Sequence, residues 1–194
     1  GKYREDGTYE GTSLGSFGIG SKITTFLSHW LEVMTYRDGK YEHLWFKEGV
    51  FDKRDTGKWQ NGTTGTLVQW EPSEEFFTHP EVDINIIKNL LKTTACLCPG
   101  LTINLDDNGT KTVYHSVRGL HDLVDAAVKD KELINNRFIV HWQENKYKFD
   151  LVMTYTSNYN LTIIPYVNTG LTESGPHITQ IKTALTREMN KFFR

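Results

Sequence analysis

The segment Leu14-Gly15-Ser16-Phe17-Gly18-Ile19-Gly20 runs without interruption into Ser21 to Leu31, and this junction constrains the chain most. Gly15, Gly18 and Gly20 follow a G-x-x-G-x-G spacing. Ile19, Ile23, Phe26, Leu27 and Trp30 recur at offsets that place them on one face of a helix, predicted to reach about Trp30. A glycine-rich turn at a helix start offers unpaired backbone N–H groups and the positive end of the helix dipole. Without a Cβ in the way, a phosphate can approach that backbone closely. The glycines alone weigh equally for an ordinary connector. The spacing excludes the G-x-G-x-x-G dinucleotide fingerprint, and Lys22 is not placed as in a G-x-x-x-x-G-K-[ST] loop.

The remainder of the chain alternates strand and helix patterns. Leu31 to Tyr36 and Tyr41 to Phe46 flank Arg37-Asp38-Gly39-Lys40, a hairpin closed by an Asp-Gly turn. Phe51 to Gly62 reads as a polar excursion, and Thr64 to Trp70 as a third strand stopped by Pro72. Three antiparallel strands behind one helix predict a two-layer α/β arrangement within an α+β fold. Val82 to about Thr94 has helical periodicity, Leu101 to Leu105 is a strand, and Asp106-Asp107-Asn108-Gly109 is a turn. Val117, Leu120, Leu123, Val124 and Ala127 form another helical face. Three strand-like runs follow, Phe138 to Trp142, Lys148 to Tyr155 and Leu161 to Val167, with a closing helix from about His177. A boundary near Asp130 divides the chain into residues 1–130 and 131–194.

Composition narrows the classes. A formal charge of −2 and a pI near 6.4 give no basic footprint for nucleic acid over the whole chain. Cys96 and Cys98 are too close for an ordinary disulfide and too few for a zinc site, so they read as apolar residues of a reducing compartment. No apolar run approaches the ~20 residues of a membrane span, and no signal peptide is visible. Gly1-Lys2-Tyr3 reads as the interior of a longer protein, so a fragment is expected.

The glycine stretch resembles the third nucleotide-binding motif of the ATPase superfamily that contains gyrase B, mismatch-repair ATPases, heat-shock 90 chaperones and sensor histidine kinases. In type IIA topoisomerases the motif commonly reads G-G-L-H-G-V-G, followed by a helix ending in A-L-S. Gly15, Gly18 and Gly20 match the glycines, Ile19 the Val, and Leu27-Ser28 the helix end, while Leu14 replaces the first Gly and Phe17 the His. The resemblance continues in order. Thr64-Gly65-Thr66 with Pro72-Ser73 is similar to a T-G-T strand ending in Pro. Tyr166-Val167-Asn168-Thr169, with Ser174-Gly175-Pro176-His177 and a helix, is similar to the Y-V-N-N…G-G-T-H of the next domain. The implied fold is the C-terminal part of a gyrase/heat-shock 90/histidine kinase/mismatch-repair-type ATPase domain (1–130), followed by part of a ribosomal S5 domain 2-like transducer (131–194).

This resemblance implies an ATP-binding role for Lys2, Tyr9, Gly15, Ser16, Phe17, Gly18, Ile19, Gly20 and Thr66. Lys2 follows a Gly, as does the family lysine that reaches the phosphates, and Tyr9 is similar to a tyrosine near the adenine. Thr66 matches the strand residue that hydrogen-bonds the base through water, although a strand Thr is ordinarily just a β-branched packing residue. His177 lacks the partners of a triad and reads as a helix start. Asp106-Asp107 and Glu74-Glu75 read as turn or cap charges. The family's water-activating Glu, Mg²⁺-holding Asn and adenine-reading Asp precede the lid, and its γ-phosphate-sensing Lys follows the transducer helix. No catalytic residue or metal ligand is therefore assigned in this chain, which alone is expected to be inert.

The implied whole is the B subunit of a type IIA topoisomerase, an isomerase in which ATP and Mg²⁺ drive closure of a dimer gate. Its implied partners are a second B subunit, the DNA-cleaving A subunit and DNA, in the cytoplasm. Alternatives are a mismatch-repair ATPase, or a degenerate non-hydrolysing regulatory module suggested by Leu14 and Phe17.

Overall fold

A computed structural model of the chain describes residues 2–3, 9–10, 19–78, 81–145 and 147–193. Gly15, Ser16, Phe17 and Gly18 lie outside the described residues, as do the side chains of Lys2 and Tyr9. The chain divides into two compact units, Gly1–Asp83 and Ile84–Arg194.

In the first unit, β1 (Lys2–Tyr3) pairs antiparallel with β2 (Tyr9–Glu10). Helix α1 (Gly20–Phe26) leads into a four-stranded antiparallel sheet of β3 (Ser28–Arg37), β4 (Lys40–Lys47), β5 (Val50–Lys58) and β6 (Gly65–Pro72), in the order β5-β4-β3-β6. The hairpin turns fix the registers. Asp38 and Gly39 have φ of 51° and 71°, and Glu48 and Gly49 have φ of 49° and 77°. Two consecutive left-handed residues match the right-handed twist of the flanking strands, as in type I′ turns.

Leu31 anchors this sheet, with only 4% of its surface exposed. It lies opposite Phe46 on β4 and Trp70 on β6. Alternation then puts Leu31, Val33, Thr35, Leu44, Phe46, Thr66, Val68 and Trp70 on one face. The other face carries Trp30, Glu32, Met34, Tyr36, Tyr41, His43 and Trp45. Polar side chains on that face are knitted together. His43 Nε2 lies 3.1 Å from Glu32 Oε2, the His43 ring stacks on Trp45 at 3.5 Å, and Lys53 Nζ sits 4.4 Å from the Trp45 ring centre.

Three expectations change in this unit. Helix α1 ends at Phe26, and Trp30 belongs to β3, because its backbone joins the ladders to β4 and β6 and its Nε1 donates to Glu71 Oε2 at 2.6 Å. Phe51 to Lys58 is a fourth strand, charged on both faces as an edge strand tolerates. Pro72 ends β6 inside the ladder, opposite Ser28, rather than beyond it. The new hairpin carries a prediction. A Cβ on Gly49 would sit 2.7 Å from Phe26 Cδ1 and 3.1 Å from Phe26 Cα, at a positive φ. Gly49→Ala is expected to cost about 1–3 kcal/mol, read as a lowered urea midpoint at unchanged slope.

In the second unit, α2 (Ile84–Leu97) packs on the hairpin of β7 (Thr102–Asp107) and β8 (Thr110–His115) and on α3 (Leu120–Ala127). β9 (Phe138–Glu144) and β10 (Tyr147–Met153) form a second hairpin, and β11 (Tyr166–Val167) pairs with β12 (Gly170–Leu171). Helix α4 (Pro176–Phe192) closes the unit, with Pro176 in its first turn and His177 beside it. Ala95 and Cys96 are the buried apolar residues of α2, and Cys96 and Cys98 are free thiols.

Here the predicted turn at Asp106 shortens to Asn108-Gly109, with φ of 50° and 90°, and β7 continues to Asp107. The predicted strand Leu161 to Val167 shortens to Tyr166–Val167. Pro165 has no N–H to give a ladder, and its carbonyl instead accepts the N–H of Thr172 at 3.0 Å. The division read near Asp130 falls inside this compact unit, where α3 packs on β10 and Leu133 bridges to Thr156. The architecture is mixed α and β with antiparallel sheets, as expected from the sequence.

Candidate nucleotide site

Of the nine expected site residues, Ile19, Gly20 and Thr66 are described in full. Thr66 lies on β6 opposite Thr35, on the Leu31 face, between Val33–Val68 and the open end of the strand. It is exposed, as are Val68 and neighbouring Gly65, whose missing Cβ faces open space. The result is an apolar patch of Val33 and Val68 flanked by two threonines, Thr35 and Thr66. Val33 and Val68 carry no motif of their own; period-two alternation from Thr66 identifies Val68, while Val33 joins it only through the β3–β6 register.

Ile19 and Gly20 open α1. The Ile19 carbonyl accepts the N–H of Ile23 at 2.9 Å, and Ile19 is 48% exposed. Among the described residues, apart from its chain neighbours and the helix's own backbone, nothing comes within 4 Å of the Cβ that Gly20 lacks, and its φ is not positive. The expected apolar face of this segment therefore buries little: Ile23 and Phe26 are also exposed. Three side-chain hydroxyls satisfy α1 carbonyls instead, Thr24 to Gly20, Thr25 to Ser21 and Ser28 to Thr24. Ser28 is 1% exposed, so the end of α1 is pinned where β3 begins. The Leu27 carbonyl also accepts the N–H of Ser73 at 2.9 Å, just past β6. Helix α1 and the Thr66 strand are thus tied at both Ser28 and Leu27. A displacement of α1 pulls directly on β3 and β6.

Elsewhere the charged groups are structural. Ser116 Oγ accepts the Gly119 N–H at 2.8 Å and donates to Asp122 Oδ2 at 2.7 Å, with Arg118 also paired to Asp122. The Ser116 hydroxyl foremost, then Arg118, holds the Asp122 carboxyl below its ordinary range. Burial pushes the Cys96 thiol up, so it is a poor nucleophile. Asp106 Oδ1 accepts the Gly109 N–H at 2.8 Å, and Asp107 meets Lys88 at 3.5 Å, which are the turn and surface roles expected of them. His177 Nε2 lies 3.0 Å from Thr172 Oγ1.

The Ser116 network gives a pH prediction. A depressed folded-state carboxyl contributes stability that is present above the unfolded Asp value of about 3.9 and is lost as pH falls through the folded value. Ser116→Ala is expected to cost about 1–3 kcal/mol at pH 7, because a buried Gly119 N–H loses its acceptor. It should also flatten the acid-side fall in stability, measured by denaturation from pH 6 to pH 3.

Helix α1, the four-stranded sheet and the mixed α/β second unit are matched by proteins of one class, the B subunits of gyrase and its relatives. The DNA gyrase B family model matches residues 119–194. The topoisomerase 4 B subunit of Streptococcus pneumoniae is 30% identical over 189 residues, 94% of this chain and 29% of that protein. The DNA gyrase B subunit of Thermotoga maritima is 30% identical over 208 residues, 99% of this chain and 32% of that protein. The crystal structure of the ATPase domain of Thermus thermophilus gyrase B, in complex with an aminocoumarin, superposes with a TM-score of 0.78 at 26% identity, covering 91% of this chain and 50% of that one. Gyrase B of Myxococcus xanthus shares the fold, with a TM-score of 0.78 at 16% identity over 88% of this chain and 52% of that one. Over nearly its whole length the chain is similar to the B subunits of gyrase and topoisomerase IV. It spans about 29–32% of the length of these curated relatives.

Proposed function

We propose that the chain supplies the ATP lid, the sheet behind the adenine and part of the transducer of a type IIA topoisomerase B subunit. The observation that carries this reading is the collinear match over 94% of the chain to a topoisomerase 4 B subunit. The exposed Thr66 patch would take a purine base, and ATP bound there would supply the phosphates that the glycine stretch would hold. In this reading Thr66 orients the base through its hydroxyl while Val33 and Val68 exclude water from its face. Gly15 to Gly20 give backbone N–H groups to the phosphates, with Lys2 beside them and Tyr9 near the adenine. Such a site works by positioning and charge stabilisation rather than by covalent chemistry.

No group of His, Cys, Asp or Glu able to hold a metal ion is found among the described residues. The Mg²⁺ that accompanies ATP would therefore be held by the nucleotide and by residues outside this set. The ties at Ser28 and Leu27 make α1, β3 and β6 the route by which lid closure reaches the rest of the protein. The proposed partners are a second B subunit, the DNA-cleaving A subunit and DNA, with the protein in the cytoplasm; no helix among the described residues is long and apolar enough to cross a membrane.

The test is Thr66→Val in the longer subunit, an isosteric loss of the hydroxyl. ATP affinity is expected to fall about 5–30-fold, in line with about 1–2 kcal/mol for one missing hydrogen bond, with the fold intact. Unchanged affinity by calorimetry would remove Thr66 from the site.

A further inference from the structure

The sequence Asn-Gly-Thr occurs at two places, Asn61-Gly62-Thr63 and Asn108-Gly109-Thr110. In both copies the Asn and the Gly are exposed, so access to water does not separate them. Their backbone surroundings do. Asn108-Gly109 is the two-residue turn of the β7–β8 hairpin, closed by the Asp107–Thr110 pair, with φ of 50° and 90°. The Gly109 N–H donates to Asp106 Oδ1 at 2.8 Å, and Asn108 Nδ2 donates to Asp107 Oδ1 at 3.4 Å. Both the glycine nitrogen and the side-chain amide of this copy are therefore engaged.

Asn61-Gly62 lies in the loop of residues 59–64 that joins β5 to β6. The base of that loop is pinned. The Trp59 N–H donates to the Gly39 carbonyl at 2.8 Å, and the Trp59 ring packs on Tyr36 at 4.2 Å. Trp59 Nε1 also donates to Thr63 Oγ1 at 3.1 Å, which clasps the two sides of the loop together. At its tip, the Gly62 N–H and the Asn61 side chain have no hydrogen-bond partner among the described residues. Asn61 is not in the left-handed region.

We propose that Asn61 is a site of spontaneous deamidation, and that the β7–β8 hairpin protects Asn108 from the same reaction. The Gly62 backbone nitrogen, having lost its proton to solvent base, attacks Asn61 Cγ. A C–N bond forms, the bond from Cγ to the side-chain nitrogen breaks, and that nitrogen takes up a proton and leaves as ammonia. Water then opens the cyclic succinimide at either carbonyl, giving aspartate or isoaspartate. The attack needs a free backbone N–H and rotation about the Asn ψ, and glycine leaves that nitrogen uncrowded by a Cβ. At Asn108 both conditions require the turn to open first, at the cost of the local ladder. Either product puts a new carboxylate between the pinned Trp59 and Thr63, and isoaspartate also lengthens the main chain there. The reaction needs no nucleotide, so its test is separate from that of the ATP reading.

The test incubates the 194-residue chain without ATP in mildly alkaline, amine-free buffer. Conversion at each copy is followed by peptide mass spectrometry, with fragmentation that separates aspartate from isoaspartate. Asn61 is expected to convert at least about tenfold faster than Asn108, which must wait for local opening of its hairpin. The rate at Asn61 should rise with pH, since the attacking nitrogen must first lose its proton. In concentrated urea the two copies should converge, because they share the Asn-Gly-Thr sequence and the hairpin is gone. Asn61→Gln should fold like the parent and lose the fast phase of ammonia release. Equal rates at the two copies in the folded chain would overturn the proposal, as would a fast phase that survives Asn61→Gln. So would a gap that persists unchanged in urea, which would place its cause in the neighbouring residues rather than in the fold.

Discussion

In the longer subunit, Gly18→Ala is expected to lower ATP turnover by about 10²–10³-fold, the usual consequence of losing one preorganised backbone donor at developing charge. The reasoning is steric: a Cβ at a glycine of a phosphate-cradling turn keeps the anion off the N–H groups. Gly20 sharpens the comparison. A Cβ there meets no contact among the described residues outside its own helix, and its φ is not positive, so the left-handed strain expected of a glycine in such a turn does not apply to it. Gly20→Ala should fold normally and stabilise α1 by up to about 1 kcal/mol, since Ala is the better helix former. Any loss of turnover in that variant then reports on phosphate approach and not on folding. Phe17→Ala should change turnover far less, because the backbone donors remain. Steady-state ATPase assays with a thermal melt of each variant decide this, and near-normal turnover in Gly18→Ala would reduce the stretch to a connector.

The second large effect is on stability. Leu31 is the most buried large side chain described in the first unit and sits in register between Phe46 and Trp70. Leu31→Ala should cost about 2–5 kcal/mol, combining the transfer energy of the deleted atoms with the cavity left behind. Leu31→Asp adds an unpaired charge with no described cation beside it, and against a typical domain stability of about 5–15 kcal/mol it should leave the sheet largely unfolded. Circular dichroism with urea denaturation reads both. A Leu31→Asp protein that melts like the parent would mean that the sheet is held from elsewhere.

What could be read from the sequence follows from how each signal arises. Asp38-Gly39 marks its hairpin because both residues tolerate φ > 0 at little cost. Glu48-Gly49 makes the same turn with a residue seldom chosen for it, so β5 looks like a polar excursion. Its charges belong to an edge strand, whose side chains face water on either side. The helix face drawn from Ile19 to Trp30 fails at its end because helix and strand periodicities overlap over a few residues, and pairing with β4 and β6 decides the matter. In the second unit, Pro165 cuts short a run whose composition alone favours a strand. For the proposed site, Thr66 stands out in the sequence through its T-G-T context. The Val33–Val68 patch needs the β3–β6 register, and the ties at Ser28 and Leu27 need the backbone path after α1, neither of which a sequence pattern encodes.

The central claim is that the segment from Leu14 through α1 and the Thr66 strand bind the same nucleotide. Hydrogen exchange of the longer subunit, with and without a non-hydrolysable ATP analogue and Mg²⁺, tests it most directly. Slowed exchange is expected over residues 14–26 and 65–68 on analogue binding, with the exposed surface of α4 unchanged. Analogue binding that leaves both segments exchanging at their free rates would contradict it.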